Sequence, residues 1–190
     1  MTASLQHVHT SDEVLLARVR AGDEHAFEQL FRRYAESLYD CAYGYVESRD
    51  AAQEIVQQLF ATLWERRRLW DVSDTVGTYL YRAIRNASLN ALRSRRRNLA
   101  FHARLSDAAH QAPPPAGIEQ EIEAAELASA VARVVARLPQ RCREVFRLNR
   151  YHQLSYAEVA QVLNVSVKTV EIHMARALRE LRARLEGWRH

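Results

Sequence analysis

The stretch SYAEVAQVLNVSVKTVEIHMARALREL, Ser155 to Leu181, decides how the chain is read. It opens with Ser155 and Glu158, an S-x-x-E capping box ahead of a short apolar helix. Val159, Ala160 and Leu163 form the inner side of that helix, Asn164-Val165 the turn, and Ser166 the cap of a second helix. In the second helix Val167, Val170, Met174, Ala177, Leu178 and Leu181 share one face by their three- and four-residue spacing. The opposite face holds Lys168, Glu171, Ile172, Ala175, Arg176 and Arg179, with His173 on the border. This is a helix-turn-helix whose second helix has the shape and charge to enter a DNA major groove. Candidate DNA-contacting residues on it are Ser166, Lys168, Thr169, Glu171, Ile172, His173, Arg176 and Arg179. A lone His such as His173 fits packing or a phosphate contact better than a metal site.

Outward from this motif, the chain reads as all-α. It has 190 residues, 48% of them apolar, with only five Gly and four Pro. Helical spacing marks one segment from Ser11, with Val14, Leu15, Leu16 and Val19, closed by Ala21-Gly22-Asp23. A second carries Phe27, Leu30, Phe31, Tyr34, Leu38 and Cys41. A third spans 48–69, with Ile55, Val56, Leu59, Phe60, Leu63 and Trp64 inward. After a loop at Trp70–Gly77, a fourth spans 78–95, with Leu80, Ile84, Ala87 and Leu92 inward. The expected organisation is two small helical domains joined by a flexible linker: a loose tail at 1–10, a first domain at 11–96, a linker at 97–118 and a second domain at 119–186. The second domain is expected to hold helices at 119–137, 139–151, 155–163 and 166–186. PPP at Pro113–Pro115 cannot join a helix interior. From Asp107 to Glu126 there are five acidic residues and no Lys or Arg.

The net charge is +4, and its distribution matters more than its size. From Thr75 to Ser106 there is no acidic residue, yet seven Arg, with Tyr79, Tyr81, Phe101, Asn86 and Asn90 interleaved. Basic groups beside aromatics suit a nucleic-acid backbone with exposed bases. The chain therefore has two basic surfaces on two domains, which a simple repressor does not need. Cys41 and Cys142 sit in apolar patterns and read as buried free thiols. The N-terminus has no signal-peptide pattern and no run approaches a membrane span, so a cytoplasmic location is expected. No phosphate loop, metal-ligand spacing or nucleophile motif is present. His7 and His9 would hold metal only weakly. No enzyme activity, catalytic residue, metal, cofactor or small-molecule substrate is expected.

Four stretches together resemble the extracytoplasmic-function (ECF, group 4) sigma factors of the sigma-70 family, bacterial RNA polymerase subunits. AGDEHAFEQLFRRY (21–34) is similar to the start of sigma domain 2. DAAQEIVQQLFATLW (50–64) resembles the helix that docks on the polymerase clamp. TYLYRAIRNASLNALRSRRR (78–97) resembles the segment that opens and reads the −10 element. LPQRCREVFRL with the opening stretch resembles domain 4, which reads the −35 element. The resemblance implies core-polymerase contacts at Asp50, Gln53, Glu54 and Gln57, against the clamp of the largest subunit. It implies −10 contacts at Tyr79, Arg82, Arg85, Asn86, Asn90 and Arg93, and promoter melting. It also implies an acidic tether threading the polymerase cavity and an anti-sigma factor as restraining partner. The chain departs from the usual pattern in its Gln-rich clamp helix, in Tyr79 where Trp is usual, and in Asn90 where Asp is usual. The alternative is a LuxR-type helix-turn-helix activator, whose lead-in resembles LPQRCREVF, although no receiver-like βα alternation precedes it here.

Overall fold

A computed structural model of the chain describes residues 10–70, 74–103 and 122–185. The expected tail at 1–10 therefore lies, but for Thr10, outside the described residues. Eight α-helices are found among them: α1 (Asp12–Arg20), α2 (Glu24–Val46), α3 (Arg49–Glu65), α4 (Val76–Ala103), α5 (Ile122–Arg137), α6 (Gln140–Arg150), α7 (Tyr156–Leu163) and α8 (Val167–Leu185). A 3-10 turn, Arg67–Leu69, follows α3, and no strand occurs in the described residues. The fold class is all-α, as expected. Chain contacts divide it into two compact units, Met1–Arg93 and Ser94–His190.

In the first unit, polar side chains set the helix ends. Ser11 accepts from the Val14 amide at the start of α1. Gly22, at φ +94°, turns the chain through a conformation that side chains resist. Asp23 then accepts from the His25 and Ala26 amides at 3.0 and 3.1 Å and pairs with Arg18 at 2.8 Å. Ser48 caps α3. Thr75 caps α4, its Oγ1 accepting from the Thr78 amide at 3.1 Å, so the helix starts two residues before the expected Thr78.

The core of this unit holds Leu15, Val19, Leu30, Leu38, Leu80 and Ile84, all without exposed surface. Burying each such side chain contributes roughly 1.5–3 kcal/mol. An aromatic cluster joins α2 to α3. Phe31 lies 4.8 Å from Phe60, and Phe27 lies 5.9 Å from Phe60 and 5.0 Å from Trp64, centroid to centroid. Three polar ties add direction: Arg33 and Tyr34 to Asp12, and Ser37 to Tyr81. A Cβ on Gly77 would come within 3.3 Å of the Tyr34 hydroxyl, so α4 passes α2 at close range.

Several sequence expectations are corrected. The third helix does not run to Leu69. It ends at Glu65, where Arg67 turns back to donate to the Trp64 carbonyl at 2.8 Å and lies over the Trp64 ring. Ile55, Leu59, Trp64, Ala87 and Leu92 are only partly covered, whereas Ala52, Thr78 and Ser88 are buried. Val14 and Phe31 are 50% and 39% exposed, so their apolar spacing does not place them in the core. The fourth helix continues to Ala103, through seven residues of the stretch expected to be linker (97–103). No Gly or Pro occurs from Thr78 to Ala112 to stop it. The rest of that stretch, with the prolines, lies outside the described residues.

In the second unit, α6, α7 and α8 pack around Leu148, Val145, Val159, Val162, Val170 and Met174, each at most 1% exposed. Leu138 and Pro139 break the chain between α5 and α6. Between α6 and α7, Gln153 takes a left-handed conformation (φ 57°), and Asn149 donates to the Leu154 carbonyl at 2.7 Å.

Candidate nucleic-acid and polymerase interfaces

The helix-turn-helix forms through local chemistry. Ser155 and Glu158 complete both halves of the capping box: the Ser155 amide donates to Glu158 Oε2 at 2.8 Å, and the Glu158 amide to Ser155 Oγ at 3.3 Å. Asn164 ends α7 in the left-handed region (φ 53°, ψ 55°), which Asn tolerates better than most residues. The Val165 amide then returns to the Ala160 carbonyl at 2.9 Å. Ser166 caps α8, accepting from the Thr169 amide at 3.1 Å, and its hydroxyl pairs with Thr169 Oγ1 at 2.9 Å.

On α8 the expected inner residues Val170, Met174, Ala177 and Leu181 are buried. Leu178 is half-buried, and Val167 is 43% exposed, so it does not share the buried face. Lys168, Glu171, Ile172, Ala175, Arg176 and Arg179 are exposed together on the opposite face. Ile172 is 58% exposed, an apolar side chain set among charged ones. Lys168 pairs with Glu171 at 3.3 Å, one helical turn apart. Ser166 and Thr169 already bond each other, which makes them first of all capping residues. His173 is half-buried against α6, its Nδ1 3.7 Å from Cys142 Sγ.

On α4 the expected contacts divide in two. Asn86, Asn90 and Arg93 are exposed on one side of the helix, Arg93 donating to Asn90 Oδ1 at 2.9 Å. Tyr79, Arg82 and Arg85 are half-buried near its start. Tyr79 leans on Trp70, ring centroids 5.9 Å apart, and the Trp70 carbonyl accepts from Arg20 Nε at 2.7 Å. Arg82 pairs with Asp74. Trp70 and Arg20 were not among the expected site residues, whereas Asp74 falls in the loop at 71–77, which was expected to help hold the opened strand. Trp70 adjoins that loop, and that adjacency was the available signal. Asp71, Val72 and Ser73 of that loop lie outside the described residues.

On α3, Asp50, Gln53, Glu54 and Gln57 are all exposed on one face, while Ala52, Val56, Phe60 and Leu63 bury the other. Beside the exposed face runs a groove of about 410 Å³ between α3 and α4, lined by Ile55, Leu59, Ala87 and Ala91 with Glu54 and Gln58 at its rim.

Two family profiles match this layout. Sigma-70 region 2 covers residues 30–98 and sigma-70 region 4 covers 128–181. The RNA polymerase sigma factor NccH of Alcaligenes xylosoxydans xylosoxydans is 30% identical over 177 residues, spanning 93% of this chain and 95% of its own. This chain belongs to the extracytoplasmic-function sigma factors of the sigma-70 family. The ECF RNA polymerase sigma-E factor of Escherichia coli (strain K12) is 28% identical over 173 residues, 88% of this chain and 90% of its own. A solved structure of CnrH in complex with the cytosolic domain of CnrY has a TM-score of 0.67 and 25% identity, covering 94% of this chain and 99% of that one.

As a sigma factor, the chain binds RNA polymerase and promoter DNA and directs promoter-specific transcription initiation through regions 2 and 4. Region 2 takes in all of α3 and most of α2 and α4. Region 4 takes in the helix-turn-helix. The LuxR-type activator reading is set aside by the region 2 match, which assigns the front of the chain to a sigma domain. No helix among the described residues is long and apolar enough to cross a membrane.

Proposed function

We propose that this sigma factor reads its promoter at two points and docks on polymerase through α3. The exposed face of α8, with Lys168, Ile172, Arg176 and Arg179, meets the −35 duplex in the major groove. Arg and Lys fit guanine edges and phosphates, and Ile172 fits a thymine methyl. The start of α4, with Tyr79, Arg82, Arg85 and Asn86, holds the opened −10 strand, and Asn90 and Arg93 extend that surface. Opening duplex costs roughly 1.4 kcal/mol per stacked step, which stacking on rings and Arg contacts offset. The exposed face of Asp50, Gln53, Glu54 and Gln57 meets the polymerase clamp. Nucleotide addition belongs to the polymerase, and this chain supplies recognition without covalent chemistry, acting in the cytoplasm.

The observation that carries the reading is the pair of basic surfaces on separate units, one on a capped recognition helix and one on an acid-free helix that starts beside Trp70. The CnrH structure is a complex with the cytosolic domain of CnrY, and that likeness supports a protein partner for this chain, which the family resemblance makes a restraining anti-sigma factor. The test is reconstitution with sigma-free core polymerase on a promoter library. The expected result is initiation from a discrete promoter set, with little duplex binding by the free protein and a steep salt dependence. Tight, specific binding of promoter duplex by the protein without core, or no initiation with core, would overturn it.

A further inference from the structure

The inner edge of α8 holds a contact that the DNA-facing residues do not use. Cys142, on α6, is 1% exposed, and its Sγ lies 3.7 Å from His173 Nδ1. The other ring nitrogen of His173, Nε2, has no bonding partner among the described residues. It is also absent from their buried unpartnered polar atoms, so it is the ring nitrogen that reaches solvent. The ring thus spans the wall of the domain, one nitrogen against a buried thiol and one open at the border of the exposed α8 face.

A neutral imidazole carries its proton on one nitrogen only, and the bond made by the other nitrogen selects which. Two arrangements fit the Cys142 contact. In one, Nδ1–H donates to sulfur, a weak acceptor, and a lone pair on Nε2 faces outward. In the other, the thiol donates to Nδ1, a good acceptor, and Nε2–H faces outward. Burial pushes the Cys142 thiol pKa up, and nearby Arg176 opposes this only in part, so the sulfur is a neutral thiol in both arrangements. The second is favoured because the imidazole nitrogen is a far better acceptor for the thiol proton than a neutral thiol sulfur is for Nδ1–H. A lone pair facing polyanionic DNA is also the less favourable of the two.

We propose that Cys142 is a positioning residue: its thiol holds His173 in the tautomer whose Nε2–H points outward as a donor to a phosphate oxygen of the −35 duplex. This rests on α8 being the DNA-reading helix. A phosphate contact of this kind fixes register and leaves base choice to neighbours. Cys142 never touches DNA and acts only through the imidazole.

The experiment has two readouts on the full chain. The first is nitrogen-15 NMR of the imidazole at about pH 8, where an ordinary imidazole is neutral. Wild type should show a pyridine-type Nδ1 and a pyrrole-type Nε2 at His173, and Cys142→Ala should move the pair toward a mixture. A protonated Nδ1 in wild type, or a tautomer unmoved by Cys142→Ala, overturns the proposal. The second is promoter binding by the reconstituted holoenzyme. Cys142→Ala should weaken −35-dependent binding roughly three- to tenfold, the span of one hydrogen bond. It should have no further effect in a His173→Gln background, where the amide keeps a donor near the place of Nε2. Equal losses in both backgrounds would show that Cys142 acts by packing alone, and the proposal falls. Unchanged −35 use in Lys168→Ala and Arg176→Ala would instead bring down the DNA reading, and the phosphate contact with it, while the NMR result separately reports on the tautomer.

Discussion

Ser155→Ala should loosen the helix-turn-helix by an amount the structure lets one work out. Ser155 Oγ accepts from the Glu158 amide at 3.3 Å and also lies 2.7 Å from Glu158 Oε2. Removing the hydroxyl leaves one helix-start amide without its side-chain partner, a loss of about 1 kcal/mol for a typical cap. It also releases part of the hold on the Glu158 carboxylate, which accepts from the Ser155 amide at 2.8 Å. Ser155 is exposed, so water re-solvates the freed groups and the total stays near 1–1.5 kcal/mol. The assay is hydrogen exchange at the amides of 156–163 in the full chain, where a loss of this size speeds exchange roughly six- to twelvefold. Ser155→Thr retains the hydroxyl and should recover most of the protection. If Ser155→Ala leaves exchange unchanged, or Ser155→Thr is as damaging as Ser155→Ala, the capping argument is wrong.

Other outcomes follow from burial, charge and exposure. His152 has its pKa lowered from 6.5 to about 4, first by burial and then by the nearby Arg147 charge. It stays neutral in the fold while the unfolded chain takes up a proton below pH 6.5, so its contribution is intact above pH 6.5 and is lost as pH falls toward 4. The loss is on the order of 3 kcal/mol at most, and His152→Gln should flatten the dependence of melting on pH in that window. Leu80→Ala, at a position with no exposed surface, should cost about 2–5 kcal/mol by chemical denaturation, and a cost below 1 kcal/mol would remove Leu80 from the core. Arg176→Ala should weaken use of the −35 element by roughly 1–3 kcal/mol in a promoter-capture profile if it meets a base edge, and an unchanged profile removes it from the site. Paired Gln53→Ala and Gln57→Ala should lower affinity for core polymerase while leaving the melting temperature within about 2 °C, because both side chains are exposed; a large drop in melting temperature would assign them to the fold instead.

What was legible in the sequence was chemistry that acts over three or four residues. Ser155 and Glu158 announce the start of α7, Asn164 its end and Ser166 the start of α8, because each bond closes within one turn. What escaped was decided by partners distant in the chain or by the absence of a breaker. Arg66–Leu69 have no residue that forbids a helix, yet the chain leaves α3 to lie against α1, far earlier in the sequence, and the helix stops. Ile55 and Leu59 have core-like spacing, but small Ala87 and Ala91 opposite leave a groove where a larger side chain would have closed it. In the expected −10 surface, Arg82 was read as a strand contact, and its pairing with Asp74 depends on how the loop folds before α4. His173 was placed correctly on a border, while the thiol beneath it lies 31 residues away in sequence.

The Arg82–Asp74 pair changes what binding at that spot would consist of. An exposed cation that meets a phosphate releases a solvent ion, and that release makes binding fall with added salt. Arg82 carries its own tethered counter-ion, so a strand that takes it must displace a carboxylate held at high effective concentration. The event becomes an exchange between two anions, nearly silent to the salt in the buffer. Such a contact favours strands already held elsewhere on the protein over any that arrive by charge alone. Asp74→Asn would turn the exchange into an ordinary ion-releasing contact, making promoter opening more dependent on salt by about one ion.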